Sequence, residues 1–270
     1  LPVTLRKVEA QLAVQGLQPG AGSAPVNQPA SQVSTLQPRG DAEIIAWLRR
    51  VQRYDDFWVE RKQARRDVQA KLPAVLEDED KDRVQSRMVS LLAGRAGVRT
   101  LQLPHAGTDH PRRSEVVGIP LAPGFSVVEI ASPLLGASLL DARHGAQRSM
   151  YVRTTALVTN LGVHFKLGRE NAAAWVTTLD KGQPVAGARV RVSSCDGTEL
   201  ASANTDEQGV ARFADLSPEP PGCSGEGEWR RAYFVSARAG DDLAFAWSDW
   251  QRGIEPWRFN LPIGSGAQPD

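Results

Sequence analysis

The stretch from Pro184 to Phe213, PVAGARVRVSSCDGTELASANTDEQGVARF, concentrates side chains that could do chemistry. Its four carboxylates are Asp196, Glu199, Asp206 and Glu207. Carboxylate oxygens bind hard cations such as Ca²⁺, and paired carboxylates can serve as general acid and base. A calcium loop of the EF-hand type needs ligands at alternate positions around a central Gly and before a final Glu, and this stretch lacks that spacing.

Turn chemistry accounts for these carboxylates better than a site does. Asp206 and Glu207 are adjacent, so their side chains diverge, and Asp206 can accept a hydrogen bond from the backbone two residues on. Gly209 can adopt the positive φ that closes such a turn. The dipeptide Asp196-Gly197 is a strong hairpin signal. We therefore predict two turns between strands here, and neither a metal site nor a catalytic site.

The chain has two cysteines, Cys195 and Cys223. A zinc site needs four ligands, usually with paired C-x-x-C spacing, and the sequence does not offer them. Two cysteines allow one disulfide, which would indicate an oxidising compartment. The alternative is two free thiols in a cytosolic protein. We expect the Cys195–Cys223 disulfide.

The histidines do not form a metal or nucleophile motif. His105 and His110 share the loop PHAGTDHPRR with Asp109, but no further ligand is near them in the sequence. His164 lies on the polar face of the strand pattern GVHFKLG, which predicts a surface residue. Neither these nor His144 stands beside a serine or cysteine in a recognisable nucleophile setting.

Motifs for covalent or nucleotide chemistry are absent from the sequence. It contains no G-x-S-x-G, no G-x-x-x-x-G-K-[ST] and no G-x-G-x-x-G. We therefore expect that the chain is not an enzyme and holds no cofactor. Its net charge of +1 gives no electrostatic case for binding nucleic acid.

Three tryptophans, Trp247, Trp250 and Trp257, cluster within WSDWQRGIEPW. Aromatic side chains with polar neighbours suit carbohydrate or a protein partner when they are exposed, so these three form a candidate partner surface. The alternative is that one or two of them anchor the core at the end of a strand.

The first third of the chain mixes patterns. Residues 3–14 alternate roughly as a strand, and residues 16–40, rich in Gly, Pro, Ser and Gln, read as a long mobile loop. Asp41 can cap a helix over residues 41–58, where apolar residues recur every three or four positions. The charge-dense stretch 60–83 reads as a solvated face, interrupted by Pro73. A second short helix is expected over residues 82–93.

From residue 97 onward, short runs rich in Val, Leu, Thr and aromatics alternate with turn residues. Among these runs are FSVVEIA, YVRTTALVTN, VHFKLG, ARVRVSS and DLAFAWSD, and HAGTDHP and SPLLG read as turns between strands. This pattern predicts antiparallel β-sandwiches. VTNLG interrupts the strand pattern at residues 158–162, so we expect a domain boundary there.

Several of these stretches resemble the bacterial alpha-2-macroglobulin family, with the resemblance covering residues 95–262. The stretches are GIPLAPGFSVVEIASPLLG (118–136), YVRTTALVTNLGVHFKLGRE (151–170), WVTTLDKGQPVAGARVRV (175–192), NTDEQGVARF (204–213) and RGIEPWRFNLP (252–262). The fold class that the resemblance implies is mainly β, with tandem macroglobulin-like (fibronectin-type) antiparallel β-sandwich domains. The first domain, residues 1–158, would carry the loop at 16–40 and a helical insertion at 41–93. The second would span residues 159–270.

The resemblance also implies a function, that of a non-catalytic scaffold and interaction segment in a longer protein that traps proteases. The implied partners are proteases, neighbouring macroglobulin domains and periplasmic proteins of peptidoglycan synthesis, and the implied location is the periplasm, in association with the inner membrane. The thioester motif of the family, Cys-x-Glu-Gln, matches neither Cys195 nor Cys223, so no thioester residue is carried over. An alternative function is a binding module of an extracellular adhesin or of a carbohydrate- or peptidoglycan-binding protein, working through the three clustered tryptophans.

Overall fold

The computed structural model describes residues 31–103, 118–145, 148–222 and 231–249. The chain divides into two compact units, Leu1–Val158 (unit 1) and Thr159–Asp270 (unit 2). Within the described ranges, no helix combines the length and the apolar composition that a membrane span requires. The strand expected over residues 3–14 lies outside these ranges.

The described part of unit 1 is built on an antiparallel sheet of four strands, in the order β4-β1-β5-β6. A second, two-stranded sheet pairs β2 with β3, and three helices and two 3-10 turns complete the unit. The elements are β1 (Gln32–Leu36), α1 (Asp41–Arg53), β2 (Trp58–Glu60), α2 (Arg61–Asp67), β3 (Arg83–Gln85), the 3-10 turn Ser86–Met88, β4 (Arg99–Gln102), β5 (Gly124–Ser132), α3 (Pro133–Leu139), the 3-10 turn Ala142–His144 and β6 (Met150–Val158).

The loop predicted over residues 16–40 is wrong in its last part, because β1 lies there. β1 pairs with both β4 and β5, and its Val33 is buried. The five residues QVSTL include β-branched side chains, which favour a strand. The Gly and Pro residues on both sides dominate the composition of the longer stretch, so the stretch as a whole was predicted to be a loop. Residues 16–30 lie outside the described ranges.

Helix α1 forms where the periodicity predicts it, but it ends at Arg53 and not at residue 58. Ile44, Ile45, Trp47 and Val51 make its buried face. The N-cap is Gly40, and Asp41 is the first helical residue, where a carboxylate favours the positive end of the helix dipole. The residues after the helix lead into β2, whose backbone is satisfied by pairing with β3.

The charge-dense stretch after β2 is only partly helical and only partly a solvated face. Helix α2 ends six residues before Pro73, and its Asp67 is buried. The helix expected over residues 82–93 is wrong: β3 and the 3-10 turn Ser86–Met88 occupy its first half. The expected turn SPLLG is wrong too, because Pro133–Leu139 is helical and the Ser132 hydroxyl accepts the Leu135 N–H at its start.

Unit 2 is a two-sheet sandwich with strand orders β10-β9-β12-β13 and β11-β8-β7, every pairing antiparallel. Alternate side chains along each strand form the inner face of its sheet. In β9, for example, Val190 and Val192 are buried, while Arg189 points outward. The core they join holds Val176, Tyr233 and Val235 among others. The strands are β7 (Leu161–Leu167), β8 (Ala172–Thr178), β9 (Arg189–Ser193), β10 (Glu199–Asn204), β11 (Val210–Phe213), β12 (Phe234–Ala239) and β13 (Asp242–Trp247). The prediction of a mainly antiparallel β protein is confirmed.

Candidate functional site

Asp196 closes the turn between β9 and β10. Its Oδ1 accepts the Thr198 N–H at 3.0 Å and the Ser194 hydroxyl, while Gly197 adopts a φ of 90°. These bonds to the charged form, above all the one from Ser194, lower the pKa of Asp196 to about 2. The carboxylate is therefore an ionised turn residue whose lone pairs are taken by its own loop.

Asp206 has the same role before β11. It accepts the N–H groups of Gln208 and Val210 at 3.0 and 2.9 Å and binds Arg212 at 2.6 Å. The Val210 N–H contributes most to the lowered pKa of Asp206. Gly209 takes a φ of 75° and donates to the Asp206 carbonyl. The structure thus places both predicted turns at the corners of the sandwich.

The two other carboxylates of this stretch do not converge with these. Glu199 lies on β10 and pairs with Arg191 of β9 at 3.2 Å, and Glu207 is exposed. Across the described ranges, no cluster of three or more His, Cys, Asp or Glu side chains is placed to hold a metal ion.

Cys195 is buried directly before the first of these turns, with 2% of its surface exposed. No cysteine among the described residues is free. Cys223 lies outside the described ranges, so its pairing with Cys195 stays a prediction.

Only Trp247 of the tryptophan cluster lies within the described ranges, so the partner surface of Trp247, Trp250 and Trp257 stays a prediction. Trp247 is 5% exposed and packs edge-on against Phe234 with ring centroids 5.0 Å apart. It lies at the end of β13 on the face that carries Phe234 and Phe245, opposite to the face whose Val235 and Ala244 belong to the sandwich core. Trp250 and Trp257 lie outside the described ranges.

The described histidines are in two different settings. His164 is exposed on β7, as predicted, and its ring lies 5.7 Å from that of Trp175. His144 lies in unit 1, with its Nε2 3.0 Å from Glu79 Oε1. His105 and His110 lie outside the described ranges.

Sequence reasoning missed a buried carboxylate in the middle of β5. Glu129 accepts the Leu91 N–H at 2.7 Å, the Leu92 N–H at 3.4 Å and the Ser90 hydroxyl. These donors belong to the segment between β1 and β4, so Glu129 fixes that segment to the sheet. The available signal was an acidic residue inside the otherwise apolar run FSVVEIA, where a charge is retained only if it is satisfied.

Arg153 of β6 completes this anchor. It stands opposite Glu129 in the strand register, with its Nε 3.7 Å from Oε2, which is an ion-pair distance and too long for a hydrogen bond. Its terminal nitrogens donate to the carbonyls of Ser86, Val89 and Tyr54 at 2.9, 2.8 and 3.3 Å. Burial lowers the pKa of Arg153, while Glu129 opposes that shift.

A second polar centre joins α1 to α2. The buried Asp67 carboxylate accepts from Arg50 at 3.2 Å, Arg53 at 2.8 Å and Gln63 at 3.1 Å. Two guanidinium groups, those of Arg50 and Arg95, lie 4.5 and 4.9 Å from the ring centroid of Trp47. These two centres are structural, because every group in them contacts another part of unit 1.

The described part of unit 2 carries an exposed tryptophan that sequence reasoning did not single out. Trp175 is 46% exposed on β8, and its indole N–H donates to the Gln208 carbonyl at 3.1 Å. This bond joins the ring to the turn before β11. The strand alternation AAAWVTT could have indicated an outward position for Trp175.

Comparison with known proteins shows which family the second half of the chain resembles. Residues 158–265 match the family model for the bacterial alpha-2-macroglobulin MG3 domain. A search of curated proteins found no match. The matched range begins where unit 2 begins and contains the whole sandwich.

Two crystal structures of native alpha-2-macroglobulin from Escherichia coli are similar to the chain at low identity. One spans domains MG0-NIE-MG1, with 13% identity and a TM-score of 0.38 over 80% of this chain and 54% of that one. The other spans NIE-MG1, with 12% identity and a TM-score of 0.40 over 82% and 84%. The chain thus spans about half the length of the first, and these TM-scores assign neither unit to a named domain. Residues 158–265, and with them unit 2, are thus similar to the MG3 domain of bacterial alpha-2-macroglobulin.

Proposed function

We propose that the chain is a non-catalytic scaffold and interaction segment of a bacterial alpha-2-macroglobulin-like protein that traps proteases. The observation that carries this proposal is the match of residues 158–265 to the MG3 domain. The local chemistry supports it, because Asp196 and Asp206 of the stretch 184–213 are used by turns. The partners in this proposal are the trapped protease and the neighbouring macroglobulin domains, both acting through the longer protein.

The test uses the full-length parent protein, with a charge placed inside unit 2. Val190→Asp puts a carboxylate at a position of zero exposure, which should unfold the sandwich. Leu200→Asp on the neighbouring strand β10 is the matched control, since Leu200 is 46% exposed. We expect both proteins to be cut by a protease, and only the control to shield that protease from a large substrate. Equal shielding by both would contradict the scaffold role.

The Cys195–Cys223 disulfide and a periplasmic location, in association with the inner membrane, belong to the same proposal. The burial of Cys195 beside a tight turn supports the pairing, because an oxidised pair there would fix the corner of the sandwich. Fractionation of cells that produce the parent protein, with thiol labelling of each fraction, measures both. Recovery in the cytosol with two reactive thiols would contradict them. Proteins of peptidoglycan synthesis are the further partner class, and co-purification from the membrane fraction tests it.

A second candidate function is that of a carbohydrate- or peptidoglycan-binding module. The observation that favours it is Trp175, whose indole N–H is bound by the Gln208 carbonyl and whose ring is exposed beside His164. A pull-down with purified peptidoglycan would show saturable binding that Trp175→Ala abolishes and Leu179→Ala, an exposed position at the end of the same hairpin, leaves intact. Equal binding by the two variants would rule out this site.

A further inference from the structure

A cavity of about 550 Å³ lies where β2 passes into α2 in unit 1. The start of α2 and the start of β3 both line it, and they are held together because the Arg61 N–H donates to the Asp82 carbonyl at 2.7 Å and β2 pairs with β3. Five basic side chains of these two segments line the cavity: Arg61, Lys62, Arg65, Lys81 and Arg83. The fold therefore brings cations from two separate segments to one place.

Most of these basic groups are not used by the fold itself. Within the described ranges, the charged ends of Lys62, Arg65 and Lys81 make no hydrogen bond or ion pair. All three side chains are exposed. Unpaired cations that line one cavity repel each other, and an anion bound among them would replace that repulsion by attraction.

Three carboxylates line the same cavity and determine which anion fits it. They are Glu60, Asp80 and Asp82. Asp80 is engaged within its own segment, since its Oδ1 accepts the Asp82 N–H at 2.9 Å and its Oδ2 lies 3.7 Å from Arg83 Nε. Five basic and three acidic side chains leave a formal charge of +2, which one phosphate monoester dianion neutralises. A polyanion would bring further negative charge against Glu60 and Asp82, so the cavity favours a single compact anion.

A second cavity, of about 430 Å³, shares Arg61 and Arg65 with the first, so the two meet at these side chains. Arg61 is fixed at this junction, because its Nη1 donates to the Pro73 carbonyl at 2.9 Å. Apolar side chains supply most of the remaining walls: Val68, Ala70, Leu72, Pro73, Ala74 and Val75. Val68 and Leu72 are only half-buried, so an apolar chain in this cavity would remove part of their surface from water.

We propose that the two cavities form one binding site for a phosphate-bearing amphiphile. The phosphate group lies among Arg61, Arg65 and Lys81, and the apolar chain follows the walls at residues 68–75. Arginine binds phosphate oxygens through paired N–H groups, and lysine adds a point charge. The volume of each cavity is within the range of small-molecule sites, about 300–1,000 Å³. The site lies wholly in unit 1, so it does not depend on the similarity of unit 2 to the MG3 domain.

Isothermal titration calorimetry of the whole chain with decyl phosphate, kept below its micelle concentration, tests the site. The titration is run at about pH 7.5, where a phosphate monoester is largely a dianion. We expect saturable binding of one molecule per chain. Hexyl phosphate should bind at least about ten-fold more weakly, because each buried CH₂ group tightens binding by about two- to four-fold. Inorganic phosphate, which has no chain, should bind more weakly still, and decyltrimethylammonium, which has the same chain with a cationic head, should not bind.

Three variants separate the phosphate part of the site from the apolar part. Arg65→Glu should weaken the binding of decyl phosphate by at least about ten-fold, because it removes a charge-assisted hydrogen bond. Arg66→Glu is the matched control, since Arg66 is the next residue of α2, is also exposed and lines neither cavity. At about 0.15 M salt its charge is screened, and its affinity should stay within about three-fold of the wild type. Leu72→Asn should reduce the ratio of the affinities for decyl and hexyl phosphate.

Four results would overturn the proposal. The first is a wild type that shows no saturable binding of decyl phosphate, which needs no variant. The second is equal affinity of Arg65→Glu and Arg66→Glu for decyl phosphate. The third is binding of decyltrimethylammonium as tight as that of decyl phosphate, and the fourth is binding of inorganic phosphate as tight as that of decyl phosphate. If Arg65→Glu does not fold, Lys81→Glu gives the same test from the other side of the cavity.

Discussion

Replacing Glu129 by alanine tests whether the β1–β4 segment depends on side chains of the sheet. The change removes three hydrogen bonds to Ser90, Leu91 and Leu92 and the ionic partner of Arg153. Glu129 and Arg153 are each about 3% exposed at the side chain, so water cannot replace what is lost.

The expected loss of stability follows from the groups that Glu129→Ala leaves buried without a partner. A buried arginine without its ionic partner costs about 3–5 kcal/mol of folding stability, and this range already includes part of the cost of the hydrogen bonds that the backbone N–H groups lose. We therefore expect Glu129→Ala to lower the free energy of unfolding of unit 1 by about 4 kcal/mol. With a urea m-value of about 2 kcal/mol/M for a unit of this size, the midpoint of unit 1 should fall by about 2 M.

Hydrogen exchange in increasing urea measures this loss for each unit separately. Amides of residues 89–92 should lose protection together with those of β5 and β6, while peptides from unit 2 report an unchanged midpoint. Glu77→Ala, at an exposed acid of the same unit, is the matched control and should shift the midpoint by less than about 0.5 M. A loss below about 1 kcal/mol with residues 89–92 still protected would refute the anchoring role, since it lies outside the range for a buried pair.

Three further predictions concern unit 2. Gly209→Ala should destabilise the sandwich by about 2–4 kcal/mol, because a Cβ there would meet a backbone oxygen at 2.6 Å. Gly187→Ala, with a similar φ of 71° but open space around the new Cβ, should cost only about 1 kcal/mol. Thermal unfolding of both variants separates the cost of the steric clash from the cost of the positive φ. Because the pKa of Asp196 is lowered to about 2, its contribution to folding stability is present above the ordinary aspartate pKa and is lost as pH falls from about 4 to about 2. In acid unfolding, Asp196→Asn should lack this part of the dependence of stability on pH. Reduction of the Cys195–Cys223 disulfide should lower stability by about 3 kcal/mol for a loop of about 29 residues, and an unchanged denaturation midpoint with reducing agent would show that the bridge is absent or without effect.

The elements of unit 2 were predictable because their causes are local. Asp196-Gly197 and the Asp206 to Gly209 turn supply their own hydrogen bonds within four residues, so their side chains specify the turns without help from the rest of the fold. Alternation of Val190 and Val192 with outward arginines likewise reads directly as a strand.

The elements of unit 1 were harder because their causes are remote. Val84, Met88 and Leu91 have helical spacing, yet Val84 pairs with Val59 in a sheet, and the backbone around residues 86–92 is satisfied by Glu129 and Arg153. Local helix and strand propensities contain no information about hydrogen bonds to residues that are about 40 to 65 positions away along the chain.

The candidate sites follow the same division. The turn role of the carboxylates and the outward position of Trp175 could be inferred from neighbours in the sequence, whereas the burial of Trp247 could not. Trp247 and Trp175 both sit in strands with mixed neighbours, but one faces Phe234 and the other faces solvent. Both tryptophans lie on the face of their strand that turns away from the sandwich core, and a single strand pattern does not show that Phe234 packs against only one of them.

The anchor formed by Glu129 and Arg153 also sets an order of events during synthesis. Both residues follow the segment that they hold, and Arg153 leaves the ribosome about sixty residues after Leu92, a delay of about 3–12 s at ordinary translation rates. Until then, Ile44, Trp47 and Leu91 have no completed sheet to pack on, although β2 and β3 can already pair with each other. During synthesis, unit 1 therefore stays incompletely folded until its last strand, β6, has left the ribosome. Until that step, its apolar side chains remain accessible to chaperones and proteases.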